Sequence, residues 1–95
     1  MSVLQTRLNT RSDAFRANAT QMEMVVADLR AQVARTALGG DASARAKHAA
    51  RGKLLPRERL ERLLDPGAPF LELSQLAAHG LYGNEVPAAG IITGI

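Results

Sequence analysis

Apolar side chains in the first part of the chain recur at Phe15, Ala19, Met22, Val26, Leu29, Val33 and Ala37. The steps between them are 4, 3, 4, 3, 4 and 4. That spacing lays one stripe along a helix and predicts this element over residues 13–38. Ser12 stands where its hydroxyl can accept an orphan backbone N–H of the first turn. Gly39 and Gly40 end the helix, because glycine enters the left-handed conformation without strain. About 25 residues rising about 1.5 Å each make a rod of roughly 38 Å. The stripe is narrow enough for helix-on-helix packing, and Met22 and Met24 read as gap fillers in it.

The pattern then shortens. Asp41 or Ser43 can cap a second helix running to Ala50, rich in alanine and so favoured intrinsically but poor in burial. Gly52 stops it. Pro56 fits the first position of a third helix, where its fixed φ is suitable and its missing N–H is not needed. Leu60, Leu63 and Leu64 form the apolar face of that helix, with Glu58 and Arg62 as an i, i+4 pair on the wet side. Asp65-Pro66-Gly67 is a hard stop.

Beyond it the period changes. Phe70-Leu71-Glu72-Leu73 reads as a short strand, 75–85 as loop, and the β-branched, glycine-punctuated stretch 88–95 as a strand in a crowded sheet. Such a strand cannot satisfy its backbone alone. The chain is therefore expected to be a fragment or a truncated reading frame.

Composition narrows the options. The chain has 95 residues, 46% of them apolar, no cysteine and no tryptophan. A disulfide scaffold and a thiolate zinc site are excluded. A chain this short buries roughly 60–65% of its unfolded surface at best, so a thin core that leans on a partner or on further chain is expected. No stretch approaches the ~20 apolar residues of a membrane span. The first twenty-two residues carry Arg7, Arg11 and Arg16 against Asp13, a pattern shared by transit peptides and by polar lead-ins to helices.

Charge is uneven. Up to Leu64 twelve bases face six acids, giving +6; from Asp65 onward there are three acids and no base, giving −3. The densest cluster is Arg45, Lys47, His48, Arg51, Lys53, Arg57, Arg59 and Arg62. Such donors suit phosphate oxygens. Three readings stay open: nucleic acid, a nucleotide-bearing small molecule, and a salt-bridged surface at a subunit interface. Base-stacking aromatics are absent from the cluster, which weakens a single-strand reading.

No P-loop and no Gly-x-Ser-x-Gly elbow occurs. His48, flanked by bases, has no evident carboxylate to orient it, and His79 reads as a loop or packing residue. Glu72 and Glu85 lie across turns from each other with no sign that they converge. Gly90 and Gly94 flank Ile91-Ile92-Thr93 and are read as places of close backbone packing.

Two runs carry a resemblance. One is Lys47-His48-Ala49-Ala50-Arg51-Gly52-Lys53-Leu54-Leu55-Pro56-Arg57-Glu58-Arg59-Leu60, followed by Leu63-Leu64-Asp65-Pro66-Gly67-Ala68-Pro69-Phe70-Leu71-Glu72-Leu73. The other is Ser74-Gln75-Leu76-Ala77, Leu81-Tyr82-Gly83-Asn84-Glu85-Val86-Pro87 and Gly90-Ile91-Ile92-Thr93-Gly94-Ile95. Together they resemble the opening of biotin-dependent acyl-CoA carboxyltransferases. The likeness is greatest to β subunits of the methylcrotonoyl-CoA type, with propionyl-CoA and geranyl-CoA carboxylase β subunits as alternatives. It is loosest before Gln21.

The resemblance implies an α+β fragment: one long and two short N-terminal helices leading into the first strands of a crotonase-like ββα superhelix domain. Residues 1–40 would be the polar lead-in and long helix, and 41–95 the start of the carboxyltransferase domain. It implies a carboxyltransferase half-reaction in leucine breakdown. There a carboxyl group on biotin, carried by a partner α subunit, passes to the γ-carbon of an acyl-CoA. The family's oxyanion holes are backbone amides, and none maps onto this chain. No catalytic residue and no metal ligand is assigned, no biotin contact is expected from this segment, and the segment alone is expected to be inactive. Arg51 and Lys53 are the candidate contacts to CoA phosphates; the structural alternative is that they pin the preamble onto the domain. Expected partners are acyl-CoA, the biotin-carrying α subunit and further β subunits in a hexamer, with no nucleic acid and no membrane. The expected compartment is the bacterial cytoplasm, or the mitochondrial matrix in a eukaryote. A free-standing basic helical module for nucleic acid or an acidic protein is the reading from a different class.

Overall fold

The computed structural model of the chain describes residues 2–95. Its elements in order are α1 (Asp13–Ala37), α2 (Ala42–Ala50), α3 (Pro56–Leu63), β1 (Glu72–Leu73) and β2 (Thr93–Gly94). Single tight turns at Tyr82–Asn84 and Pro87–Gly90 lie between the strands. The chain divides into two compact units, Met1–Arg30 and Ala31–Ile95.

In the first unit, Ser12 caps α1 as its sequence position suggests. The Phe15 N–H donates to Ser12 Oγ at 3.2 Å, and the same hydroxyl donates to the Asn9 carbonyl at 2.8 Å. One hydroxyl thus satisfies an orphan helix donor and ties down the preceding turn. Phe15, Ala19 and Val26 are half-buried on this stretch, while Met22 and Leu29 are exposed.

In the second unit the helix boundaries follow local chemistry. The last turn of α1 tightens, with the Gly39 N–H donating to the Thr36 carbonyl at 3.0 Å and Gly39 itself at φ +80°. Of the two candidate caps for α2, Asp41 serves: its Oδ1 accepts the Ala44 N–H at 2.7 Å. Pro56 opens α3. Glu58 turns back to accept the Leu55 N–H at 2.6 Å. This corrects the expected Glu58–Arg62 pair. Leucine has no side-chain acceptor or donor to cap with, so the carboxylate is drawn to the unsatisfied amide at the helix start.

Asp65-Pro66-Gly67-Ala68 makes a turn closed by the Ala68 N–H on the Asp65 carbonyl at 2.9 Å, with Gly67 at φ +77° as a type II turn requires. β1 and β2 then pair antiparallel, Glu72 opposite Gly94 and Leu73 opposite Thr93. Leu71 and Ile95 extend the ladder by exchanging bonds of 2.8 and 3.1 Å. The sheet places Phe70 diagonally over Gly94, where a Cβ would run into the Phe70 ring and lie 2.6 Å from the Leu71 carbonyl. Close packing is thus the reason for Gly94.

Gly90 has a different reason, and it corrects the expected strand over 88–95. Ala88, Ala89 and Gly90 are successively left-handed, at φ +51°, +51° and +72°. The Ala89 N–H reaches both the Val86 and Ala77 carbonyls. Pro87 starts this turn, and no extended strand survives three such residues in a row. Ala88 is the one buried apolar residue among those described. Leu63, Leu71, Ile91 and Ile95 are exposed, so the expected thin core is what the fold shows.

Replacing Gly94 with alanine is expected to destabilise the second unit by about 1–3 kcal/mol, the usual cost of an added methyl in a filled site. Comparing thermal midpoints of the two chains checks this; equal midpoints would mean that the Phe70 ring moves aside freely.

Candidate functional site

The polar centre of the second unit is Arg57, the residue after the proline that opens α3. Its Nη1 donates to Glu72 Oε2 and its Nη2 to Glu72 Oε1, both at 2.6 Å. Its Nε donates to the Ala37 carbonyl at 3.1 Å. Gln75 adds its amide to Glu72 Oε2 at 3.2 Å. The planar fork of arginine matches a carboxylate in this bidentate way, and its third donor is left to satisfy a carbonyl that the end of α1 leaves open. The Glu72 side chain is only 6% exposed and that of Arg57 30%.

The paired hydrogen bonds shift both groups toward their charged forms. The guanidinium bonds hold the Glu72 carboxyl below its ordinary value; burial opposes this, and the Gln75 amide and the arginine charge assist. The bond to Glu72 raises Arg57 above its ordinary value, again against burial.

On the α2–α3 connection, His48 Nε2 lies 2.8 Å from the Leu54 carbonyl. A carbonyl only accepts, so Nε2 carries the proton and the ring fastens the α2–α3 connection. Farther along, a cleft of about 630 Å³ opens between the end of α1, the start of α2 and the turns near residues 76–88. Arg35, Arg45, His79 and Glu85 are among its lining residues. The Arg45 Nε is buried there and has no hydrogen-bond partner among the described residues. A second cavity of about 380 Å³ lies by Arg57, Leu60, Leu64 and Phe70.

Residues 47–95, which contain both halves of the clasp, match the carboxyl transferase domain family. The chain belongs to this family. It is 61% identical over 77 residues to the biotin-dependent 3-methylcrotonyl-coenzyme A carboxylase beta1 subunit of Mycobacterium tuberculosis, covering 81% of this chain and 15% of that protein. It is 46% identical over 95 residues to the mitochondrial methylcrotonoyl-CoA carboxylase beta chain of Arabidopsis thaliana, covering 100% of this chain and 16% of that one. The probable biotin-dependent acyl-coenzyme A carboxylase beta2 subunit of Mycobacterium tuberculosis is 41% identical over 93 residues, or 98% of this chain and 17% of its own. The chain thus spans about one-sixth of the length of these relatives.

Within this carboxyltransferase segment the basic cluster separates into distinct roles. Arg57 is committed to Glu72, His48 to a carbonyl, and Arg45 lines the larger cleft. Arg51 and Lys53 are exposed on the α2–α3 connection and line neither cavity. Arg51 closes α2, its backbone N–H bonding to carbonyls of the last turn. Gly52, at φ +71°, lies between them and reverses the chain. Glu72 and Glu85 belong to separate surroundings, the clasp and the cleft.

The clasp was not visible as spacing, because its halves lie fifteen residues apart. One signal was available. Glu72 alternates with Leu71 and Leu73 and shares a strand face with Phe70, so a strand there aims a carboxylate at the same side as an aromatic ring.

A carboxyl whose folded pKa is depressed contributes stability above its unfolded value and loses it as pH falls through the folded one. Acidification through and below the carboxylate range is therefore expected to destabilise the chain. Glu72→Gln should be less stable at neutral pH and show a flatter acid limb in thermal melts. The Arg57 contribution persists at all ordinary pH, since its loss lies above the normal arginine range. Arg57→Lys keeps the charge but loses the fork, and is expected to cost about 1–3 kcal/mol by denaturant titration.

Proposed function

We propose that this chain is the leading part of the carboxyltransferase subunit of a biotin-dependent acyl-CoA carboxylase. In that reading the complete subunit carboxylates 3-methylcrotonoyl-CoA in leucine breakdown. The observation that supports it most is the family match over 47–95, the stretch that folds around the Arg57–Glu72 clasp. The relatives named for 3-methylcrotonyl-CoA or methylcrotonoyl-CoA support the choice of acyl chain. Propionyl-CoA and geranyl-CoA are the competing substrates.

The division of labour follows from what the chain contains. Biotin, carried by a partner α subunit, supplies the carboxyl group, and no residue here is assigned to hold it. Residues 1–40 act as a helical lead-in, and 41–95 as the opening of a crotonase-like domain. Other β subunits complete the assembly, which would work in the bacterial cytoplasm or mitochondrial matrix. Among the described residues no helix is long and apolar enough to cross a membrane.

Within this reading Arg51 and Lys53 contact CoA phosphates. Two cationic side chains, one a planar fork and one a point charge, project from one exposed connection held by the His48–Leu54 bond. They bind and orient substrate and take no part in bond making. The segment alone has no catalytic group and is inactive.

The test uses the complete carboxylase that contains this segment, with labelled bicarbonate and each of the three acyl-CoAs. Turnover is expected to be best with 3-methylcrotonoyl-CoA. Arg51→Ala combined with Lys53→Ala should raise KM for acyl-CoA about tenfold, as expected from losing one or two exposed charge-assisted contacts, with kcat little changed. Acyl-pantetheine, which lacks the nucleotide phosphates, should show no such change. An unaltered KM would refute the phosphate role, and salt-steep binding to a DNA duplex without any acyl-CoA turnover would refute the enzyme reading.

A further inference from the structure

The α1 stripe has a period that the carboxyltransferase reading leaves unused. Phe15, Ala19, Met22, Val26 and Leu29 follow one another at alternating steps of 4 and 3, the 3.5-residue repeat of a two-helix seam. In the first unit this seam is open at Met22, 62% exposed, and Leu29, 50% exposed, and half-buried at Phe15, Ala19 and Val26. We infer that α1 pairs antiparallel with α1 of a second copy of this chain.

Size and charge together choose this occupant and this direction. Around a two-fold axis midway between Ala19 and Met22, each Ala19 meets Met22 of the second copy, and each Phe15 meets Val26. Small thus faces large at every step, as interdigitating layers require. Flanking the seam on one side are Arg16 and Glu23, one heptad apart. In an antiparallel pair these positions face each other across the seam, so each Arg16 meets Glu23 of the second copy, twice over by symmetry. A parallel pair would set Arg16 against Arg11 and Glu23 against the neutral Asn18. Moving the antiparallel register by half a heptad sets Arg16 against itself in one direction and Glu23 against itself in the other. Moving it a full heptad on enlists Val33 and Thr36, which belong to the second unit.

The seam is short. It falls among interfaces below about 1,200 Å², which are typically weak. Association in the micromolar to millimolar range is therefore expected from this contact alone.

Sedimentation equilibrium of the full 95-residue chain over that range is expected to show a monomer–dimer equilibrium. Glu23→Arg turns two attractive pairs into two repulsive ones and should raise the dimer Kd about tenfold; Arg16→Glu should do the same. The double variant Arg16→Glu with Glu23→Arg restores both pairs and should return the Kd to within about twofold of the starting value. Since the chain has no cysteine, direction can be read separately. A Phe15→Cys chain mixed with a Val26→Cys chain under mild oxidation should give mainly the mixed disulfide. A chain that stays monomeric throughout, a dimer indifferent to charge reversal, a double variant that does not recover, or a predominance of like-with-like disulfides would each overturn the proposal.

Discussion

The second unit depends on one guanidinium. Arg57 reaches the open carbonyl of Ala37 with one donor and both oxygens of Glu72 with two more. These three points belong to the end of α1, the start of α3 and the first strand. Apolar burial could not bring them together with comparable force, because only Ala88 is buried among the described apolar residues. Where the core is thin, a satisfied and largely desolvated ion pair contributes specificity that close packing supplies elsewhere. Removing either partner would leave the other charge partly buried, so the pair acts as a unit.

This arrangement explains how a strongly basic run coexists with a defined fold. The run from Arg45 to Arg62 is dense enough to repel itself. The chain relieves that by drawing Arg57 inward to an acid from the negatively charged end, while His48 is engaged with a backbone carbonyl. What is left outside, Arg51 and Lys53 above all, is free of those structural duties. The acidic stretch after Asp65 therefore supplies a counter-charge within the same unit.

Local features of the sequence were legible because each is decided within a few residues. Ser12, Asp41 and Pro56 mark helix starts through single hydrogen bonds or a single fixed dihedral, and Gly39, Gly52 and Gly67 mark stops through positive φ. The family resemblance was legible too, since it rests on runs of identities and needs no geometry; the match over 47–95 agrees with it. Two kinds of feature were not legible. The Arg57–Glu72 pair joins elements fifteen residues apart, and the nearer Glu58–Arg62 spacing concealed it. The left-handed Ala88 and Ala89 lie in a stretch whose composition favours strand. Alanine carries no signal for positive φ, and the turn is held by the Ala89 N–H on the Val86 and Ala77 carbonyls, the second of them distant in sequence.

The exposed apolar positions fall into two groups, and the difference bears on how the chain is built. Leu71, Ile91 and Ile95 lie on or beside the two-stranded sheet, where alternation sends neighbouring side chains to opposite faces. A sheet of two strands covers neither face, and its outer edges keep unpaired backbone groups, so that surface calls for further strands or helices. Met22 and Leu29 belong instead to a helix whose backbone is already satisfied and whose need is only for a matching seam. One surface is incomplete in its hydrogen bonding and the other only in its packing. The first kind is met within a continuous domain, while the second can be met by a separate molecule. The same chain can thus belong to a larger sheet through its 71–95 end and still offer α1 to a second copy.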